Sequence, residues 1–233
     1  MKRACIVHDW VNLVLVPIIG LMTIAGLSGQ LDPSHVTHAF LAYVLGDFVW
    51  VALQPEAVPS LPTVILAHHV VTFVLLCVPL RHPHLHWYTC VDGLVELNTF
   101  FLIARRQWHS RAARKLFSWL YWSSFLTMRM VLYPLMVPIF LREMRAVEKA
   151  AWWETLACVG SQVILCGFNV VLLALSITNW RKRRTGDDRK HAAASPQGKA
   201  AYLPASHGGI TATGLKRRGT DTGASLTLEA RSA

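Results

Sequence analysis

Four stretches of this chain are long and apolar enough to cross a bilayer, yet each carries ionisable side chains in its interior. Asp47 lies in AYVLGDFVWVAL, His68 and His69 in TVILAHHVVTFVLL, Glu96 in VDGLVELNTFFLI, and Arg129 in SSFLTMRMVLYPL. Hydrocarbon penalises such a group by roughly 3 kcal/mol or more on insertion scales. A chain that keeps several of them must turn them toward one another. The fold class this predicts is all-α: a polytopic membrane bundle of about six transmembrane helices around a polar interior.

The spacing of apolar runs predicts spans from near Ile6 to Leu27, His35 to Gln54, Leu61 to Leu80, His86 to Ala104, Leu116 to Leu141 and Trp152 to Trp180. The first four fall within the roughly 17–25 residues that a crossing requires, and the last two are longer. Pro134 and Pro138 mark kink points in the fifth. Lys2 and Arg3, followed by an apolar run and AGLSG, also fit a signal peptide. His8, Asp9, Trp10 and Asn12 make a polar lead-in that argues against it. Residues 1–34 are read as the first helix and its connector, 35–180 as the membrane core, and 181–233 as a basic tail.

The net charge of +10 does not point to nucleic acid, because the cations sit beside apolar segments. There they set topology and touch anionic headgroups. Six spans put Lys2, Arg3, the Arg105–Lys115 cluster and Arg181, Lys182, Arg183 and Arg184 on one side. The positive-inside rule places that side, and both termini, in the cytosol. Only 15% of the chain is charged, against about 25% for a soluble domain. The tail is too poor in large apolar residues to bury a core and is expected to be disordered, with its basic residues contacting anionic lipid. Residues 217–220 read as solvated charge or a kinase site. The five cysteines are scattered and read as buried hydrophobes. His82, His84 and His86 alternate around Pro83 without helical ligand spacing, so no metal site is expected.

A rise of about 1.5 Å per residue places Asp47, His68 and Glu96 roughly 10–12 Å from the cytosolic end, Asn169 roughly 16 Å and Arg129 roughly 20 Å. His68 and Thr72 share one helix face, with His69 a quarter-turn away. Asp92 and Glu96, also four apart, share a face of the fourth span. They repel unless one is protonated or a cation lies nearby, so Arg129 is expected to pair with Glu96 or Asp92. Asn98, Thr99, Ser161, Gln162 and Asn169 supply further hydrogen bonds. The candidate catalytic set is His68, His69, Asp92 and Glu96. The candidate substrate or polar-cavity set is Asp47, Thr72, Asn98, Thr99, Arg129, Gln162 and Asn169.

Five pieces, YVLGDFVW from Tyr43, HHVVTF from His68, ELNTFF from Glu96, FLTMR from Phe125 and the helix from Gln162 to Trp180, occur in an order that resembles the TLC-domain family. The smaller TLC-domain-containing proteins look nearer than the ceramide synthases. The resemblance implies a helix bundle around a polar cavity in an endoplasmic-reticulum-type membrane, acting in lipid binding or in regulating lipid composition. For the synthases it implies acyl transfer from acyl-CoA, as co-substrate, to a sphingoid or other lipid amine. His68 and His69 match the histidine pair of that reaction, and Asp92 and Glu96 match downstream acids. Tyr88 and Thr89 stand where the synthases carry a His-Asp pair; Asn98 and Phe100 depart from the smaller proteins' motif. Two functions are therefore carried forward, lipid regulation without catalysis and acyl transfer, beside a structural role in which polar residues only lock helices. Neither of the first two requires a resident cofactor. Membrane lipids are the expected partners, and a homo-oligomer is allowed.

Overall fold

The structure, a computed structural model, describes residues 3–58, 61–147 and 150–194. Of these, 91% are helical and none is in a strand. The chain forms two compact units, Met1–Arg181 and Lys182–Ala233. The bundle is the first.

Its helices are α1 (Arg3–Leu27), α2 (Pro33–Leu53), α3 (Pro62–Arg81), α4 (His86–Gly93), α5 (Val95–Gln107), α6 (Arg111–Ser124), α7 (Tyr133–Ala146) and α8 (Trp152–Ala194). Short 3₁₀ turns, Pro55–Ala57 and Pro83–Leu85, precede α3 and α4. Five stretches are long and apolar enough to cross a membrane: α1, α2, α3, Arg111–Ala146 and Trp152–Thr178. The expected fourth span is instead two short helices in series, parted at Leu94. End to end, residues 86–107 still extend about 33 Å at 1.5 Å per residue.

Local chemistry sets several of these boundaries. The backbone closes α1 with Gly29 at φ 73° and the Gln30 amide on the Ala25 carbonyl at 2.9 Å, where glycine carries no Cβ penalty. Asp32 caps α2 by accepting from the Ser34 amide at 2.8 Å, with Pro33 in the first turn. That hydrogen bond holds the exposed Asp32 carboxyl below its ordinary range. Pro134 offers no N–H to the carbonyl four residues earlier and its ring crowds that turn. The chain relaxes ahead of it into a π-helical stretch, Phe125–Leu132, in which the Tyr133 amide reaches back to Met128. The expected kink is thus a widened turn, with Arg129 inside it. The last helix continues to Ala194, past the expected end at Trp180. The side chains of Lys182, Arg183 and Arg184, and all of residues 195–233 with the expected disorder and the 217–220 motif, lie outside the described residues.

Packing inverts the pattern of a soluble helix. Helix α1 buries His8, Asp9, Asn12 and Thr23 and exposes Val7, Trp10, Val14, Ile18, Leu21 and Ile24. An apolar perimeter around a polar interior is what a lipid solvent demands. Helix α1 meets α4 and α5 along small residues: a Cβ at Gly20 would lie 2.8 Å from Leu97, and one at Gly26 would lie 2.6 Å from Cys90 Sγ and 3.1 Å from Val36 Cγ2. Gly26→Ala is therefore expected to destabilise by about 1–3 kcal/mol through overpacking. Cys90→Ala in the same chain should recover part of the loss, because it removes the sulfur and leaves the Val36 contact. Thermal midpoints of both single variants and the double decide it; strict additivity would defeat the explanation.

The ends of the bundle are tied by charge. Arg106 of α5 donates to Asp9 of α1 at 2.8 Å. At the other end Glu154 of α8 pairs with Arg81 at 2.7 Å and His82 at 3.3 Å, both at the end of α3. The arrangement is thus antiparallel, with the start of α1 and the α5–α6 turn together.

Candidate polar site inside the bundle

Three groups of buried polar side chains occupy the interior. The first centres on Asp47 of α2. Its Oδ1 lies 2.8 Å from Nε2 of His8 on α1, and its Oδ2 lies 3.0 Å from Nε2 of His69 on α3. One carboxylate thereby joins three helices. Nδ1 of His69 lies 2.7 Å from the Ile65 carbonyl. Both ring nitrogens of His69 face oxygen acceptors, so a proton on each lets both donate. Asn12 extends the group: its Nδ2 is 3.1 Å from His8 Nε2 and 3.4 Å from Asp47 Oδ1, and its Oδ1 accepts from the Tyr43 hydroxyl at 3.2 Å.

The second group surrounds Arg129. Its Nε donates to Asn98 Oδ1 at 2.8 Å, Nη1 to Asn169 Oδ1 at 2.9 Å, and Nη2 to Thr99 Oγ1 at 3.1 Å. Asn98 in turn donates to the Tyr121 carbonyl at 2.8 Å and to Ser124 Oγ at 3.0 Å. The expected pairing of Arg129 with Glu96 or Asp92 is not found: among the described residues its hydrogen-bond partners are neutral. The reason is rotational. Asn98 and Thr99 turn toward the π-helical stretch that carries Arg129. Glu96 is buried beside Thr99 and, among the described residues, enters no ion pair with the guanidinium.

The third group opens on a cavity of about 20 Å³ lined by residues that include Phe40, Thr72, Leu75, Asp92, Tyr133 and Phe140. That is room for about one water. Asp92 is 6% exposed, and its Oδ1 has no hydrogen-bond partner; Thr72 Oγ1, Gln162 Oε1 and Asn169 Nδ2 are likewise unpartnered. Gln162 Nε2 is bonded to the Tyr133 carbonyl at 3.1 Å. The break at Leu94 divides Asp92 on α4 from Glu96 on α5, so the two acids do not share one continuous helix face as the spacing suggested.

The two adjacent histidines have separate environments. His69 is buried and held; His68 is half-buried, 5.7 Å from the His69 ring and 6.0 Å from Phe168, and no hydrogen bond to its ring occurs among the described residues. The sequence reading missed His8, Asn12 and Tyr43 as members of the Asp47 group, and Tyr133 beside Asp92. His8 and Asn12 carried a readable signal, polar residues four apart at the head of an apolar run. Of the alternating histidines, His86 Nδ1 lies 2.8 Å from Thr37 Oγ1 and His82 belongs to the Glu154 pair. Among the described residues no group of three or more His, Cys, Asp or Glu is placed to hold a metal ion.

A family model described as the TLC domain matches residues 13–178. No curated protein matches the chain, and no solved structure does. The match begins after His8 and Asn12 and takes in every other residue of the three polar groups.

Proposed function

The chain belongs to the TLC-domain family, and from that premise we propose that it binds lipid within its bundle and so regulates the lipid composition of an endoplasmic-reticulum-type membrane. The observation that carries this reading is the cavity at Asp92. An apolar wall of Phe40, Leu75 and Phe140 is interrupted by an unpartnered carboxylate oxygen and an unpartnered hydroxyl of Thr72. A buried polar atom without a partner costs about 1–3 kcal/mol. A lipid hydroxyl or amine is small enough for a space of about one water and relieves that cost. The cations at the α5–α6 turn, on the same end as the start of α1, support a cytosolic placement for both termini.

Gentle extraction followed by native mass spectrometry tests the reading. The wild-type chain is expected to carry a lipid-sized adduct, and Asp92→Leu to lose most of it while keeping its helical circular-dichroism spectrum. Protein that emerges free of lipid removes the proposal.

A second reading, acyl transfer from acyl-CoA to a lipid amine, is favoured by one observation. Among the described residues His68 makes no ring hydrogen bond beside the Asp47–His69 pair, as a base or acyl acceptor requires. Incubation with labelled acyl-CoA should then leave label on the chain or its lipid product, and His68→Ala should abolish it. Equal labelling of wild type and His68→Ala eliminates this reading.

A further inference from the structure

Away from the bundle interior, one stripe on the surface of α6 has the polarity of a whole phospholipid. Arg111, Arg114 and Lys115 are exposed at i, i+3 and i+4, the spacing at which helical side chains are neighbours. Beyond Lys115 the same face continues through Trp119 and Trp122, at steps of four and three residues, toward exposed Leu126 at the start of the π-helical stretch. Trp119 is 67% exposed and Leu126 51%. Three adjacent cations thus lead into an open apolar and aromatic track. From Lys115 to Leu126 it extends about 16 Å at 1.5 Å per residue.

Among the described residues nothing neutralises these charges. No Asp or Glu occurs from residue 97 to residue 142. Asp9, the acid packed against this end, is 2% exposed and already held by Arg106 at 2.8 Å and Gln107 at 2.7 Å. Arg105 stands over the Tyr121 ring at 4.0 Å. Among the described residues, Arg111, Arg114 and Lys115 enter no ion pair. Like charges one turn apart repel, so an anion from outside is the natural partner. Trp108 and Trp119, 47% and 67% exposed, flank these cations, and tryptophan is a residue type that favours the headgroup level.

We propose that this stripe binds an anionic phospholipid, its phosphate-bearing headgroup on Arg111, Arg114 and Lys115 and its acyl chain along Trp119, Trp122 and Leu126. The site is separate from the Asp92 cavity and does not depend on what the cavity holds. An acidic protein segment would suit the three cations but leaves the aromatic track unexplained.

The test uses the full chain in nanodiscs of phosphatidylcholine containing a minority of phosphatidylserine or of phosphatidylinositol phosphate. Retained lipids are counted by native mass spectrometry. Wild type is expected to retain anionic lipid above its share of the bilayer. In the triple variant R111Q/R114Q/K115Q the affinity for anionic lipid should fall by about fivefold for each charge removed, which brings the retained lipid down to its bilayer share. A control variant, R142Q/R145Q, changes exposed cations at the other end of the bundle and should retain the enrichment. The proposal is overturned if the triple variant retains as much anionic lipid as wild type, if both variants lose it equally, or if wild type shows no enrichment. All five positions are exposed, so the folded bundle survives the changes. Headgroup glycerophosphates added free in solution should compete poorly; if they displace the retained lipid completely, the site is an anion site only and the lipid assignment fails.

Discussion

Asp47→Leu is expected to lower the stability of the bundle by about 3 kcal/mol, the largest effect of any single substitution considered. The carboxylate is the shared acceptor for His8 at 2.8 Å and His69 at 3.0 Å. Leucine matches the lipid-like surroundings, but it leaves His69 Nε2 without a partner and His8 Nε2 with only the Asn12 amide at 3.1 Å. Interhelical polar contacts in membranes average only about 0.6 kcal/mol. Removing one member of a buried pair costs about 3–5 kcal/mol, because the remaining groups stay desolvated. The second figure governs here, since both histidines are held in place by α1 and α3 and cannot turn to water. At roughly 2–4 °C per kcal/mol for a chain of this size, the midpoint should fall by about 10 °C. Asp47→Asn should fall less: the amide keeps one acceptor and can donate to an imidazole in its neutral tautomer. Thermal unfolding in mild detergent, followed by circular dichroism, gives the order wild type, Asn, Leu. An unchanged midpoint for Asp47→Leu would show that the three-helix junction contributes nothing.

Arg129→Met is expected to cost about 2 kcal/mol, from three interhelical contacts of about 0.6 kcal/mol each. Its informative partner is Arg129→Lys, which keeps the charge. Asn98 and Thr99 come from α5 and Asn169 from α8, and they meet three different nitrogens of the planar fork. A single ammonium cannot reach all three positions, so Lys should behave much like Met. Glu96→Gln should be nearly neutral, because Glu96 makes no ion pair with Arg129. A salt-bridge arrangement gives the opposite pattern, with Lys rescuing and Gln as damaging as Met. The same unfolding measurement on the three variants separates the two arrangements.

That Arg129 is bound by neutral side chains shows where sequence reading stops. Depth along a helix follows from counting residues, and Asp47, Glu96, Asn98, Arg129 and Asn169 do lie in the interior. Partner choice depends on rotation about each helix axis. Rotation around Arg129 is set by the π-helical stretch before Pro134, which helical periodicity does not describe. The break at Leu94 had a cue in Asp92-Gly93, a turn-favouring dipeptide. Within an apolar run that cue is outweighed by the span-length pattern. His8 and Asn12 obeyed the same rule that exposed Asp47, but in the sequence they read as a polar lead-in to the first span and not as members of the interior group. His68 and His69 were expected to face different ways, and among the described residues only His69 is committed to a hydrogen bond.

The residues alone determined that this is a membrane bundle and that its ionisable groups turn inward, because hydrocarbon penalises each such group whatever its neighbours are. Tertiary structure alone decided which groups meet: His8 and His69 on one carboxylate, Arg129 on three neutral oxygens, Asp92 left facing a cavity. Hydrogen bonds act over about 3 Å, and a fraction of a helical turn moves a side chain farther than that.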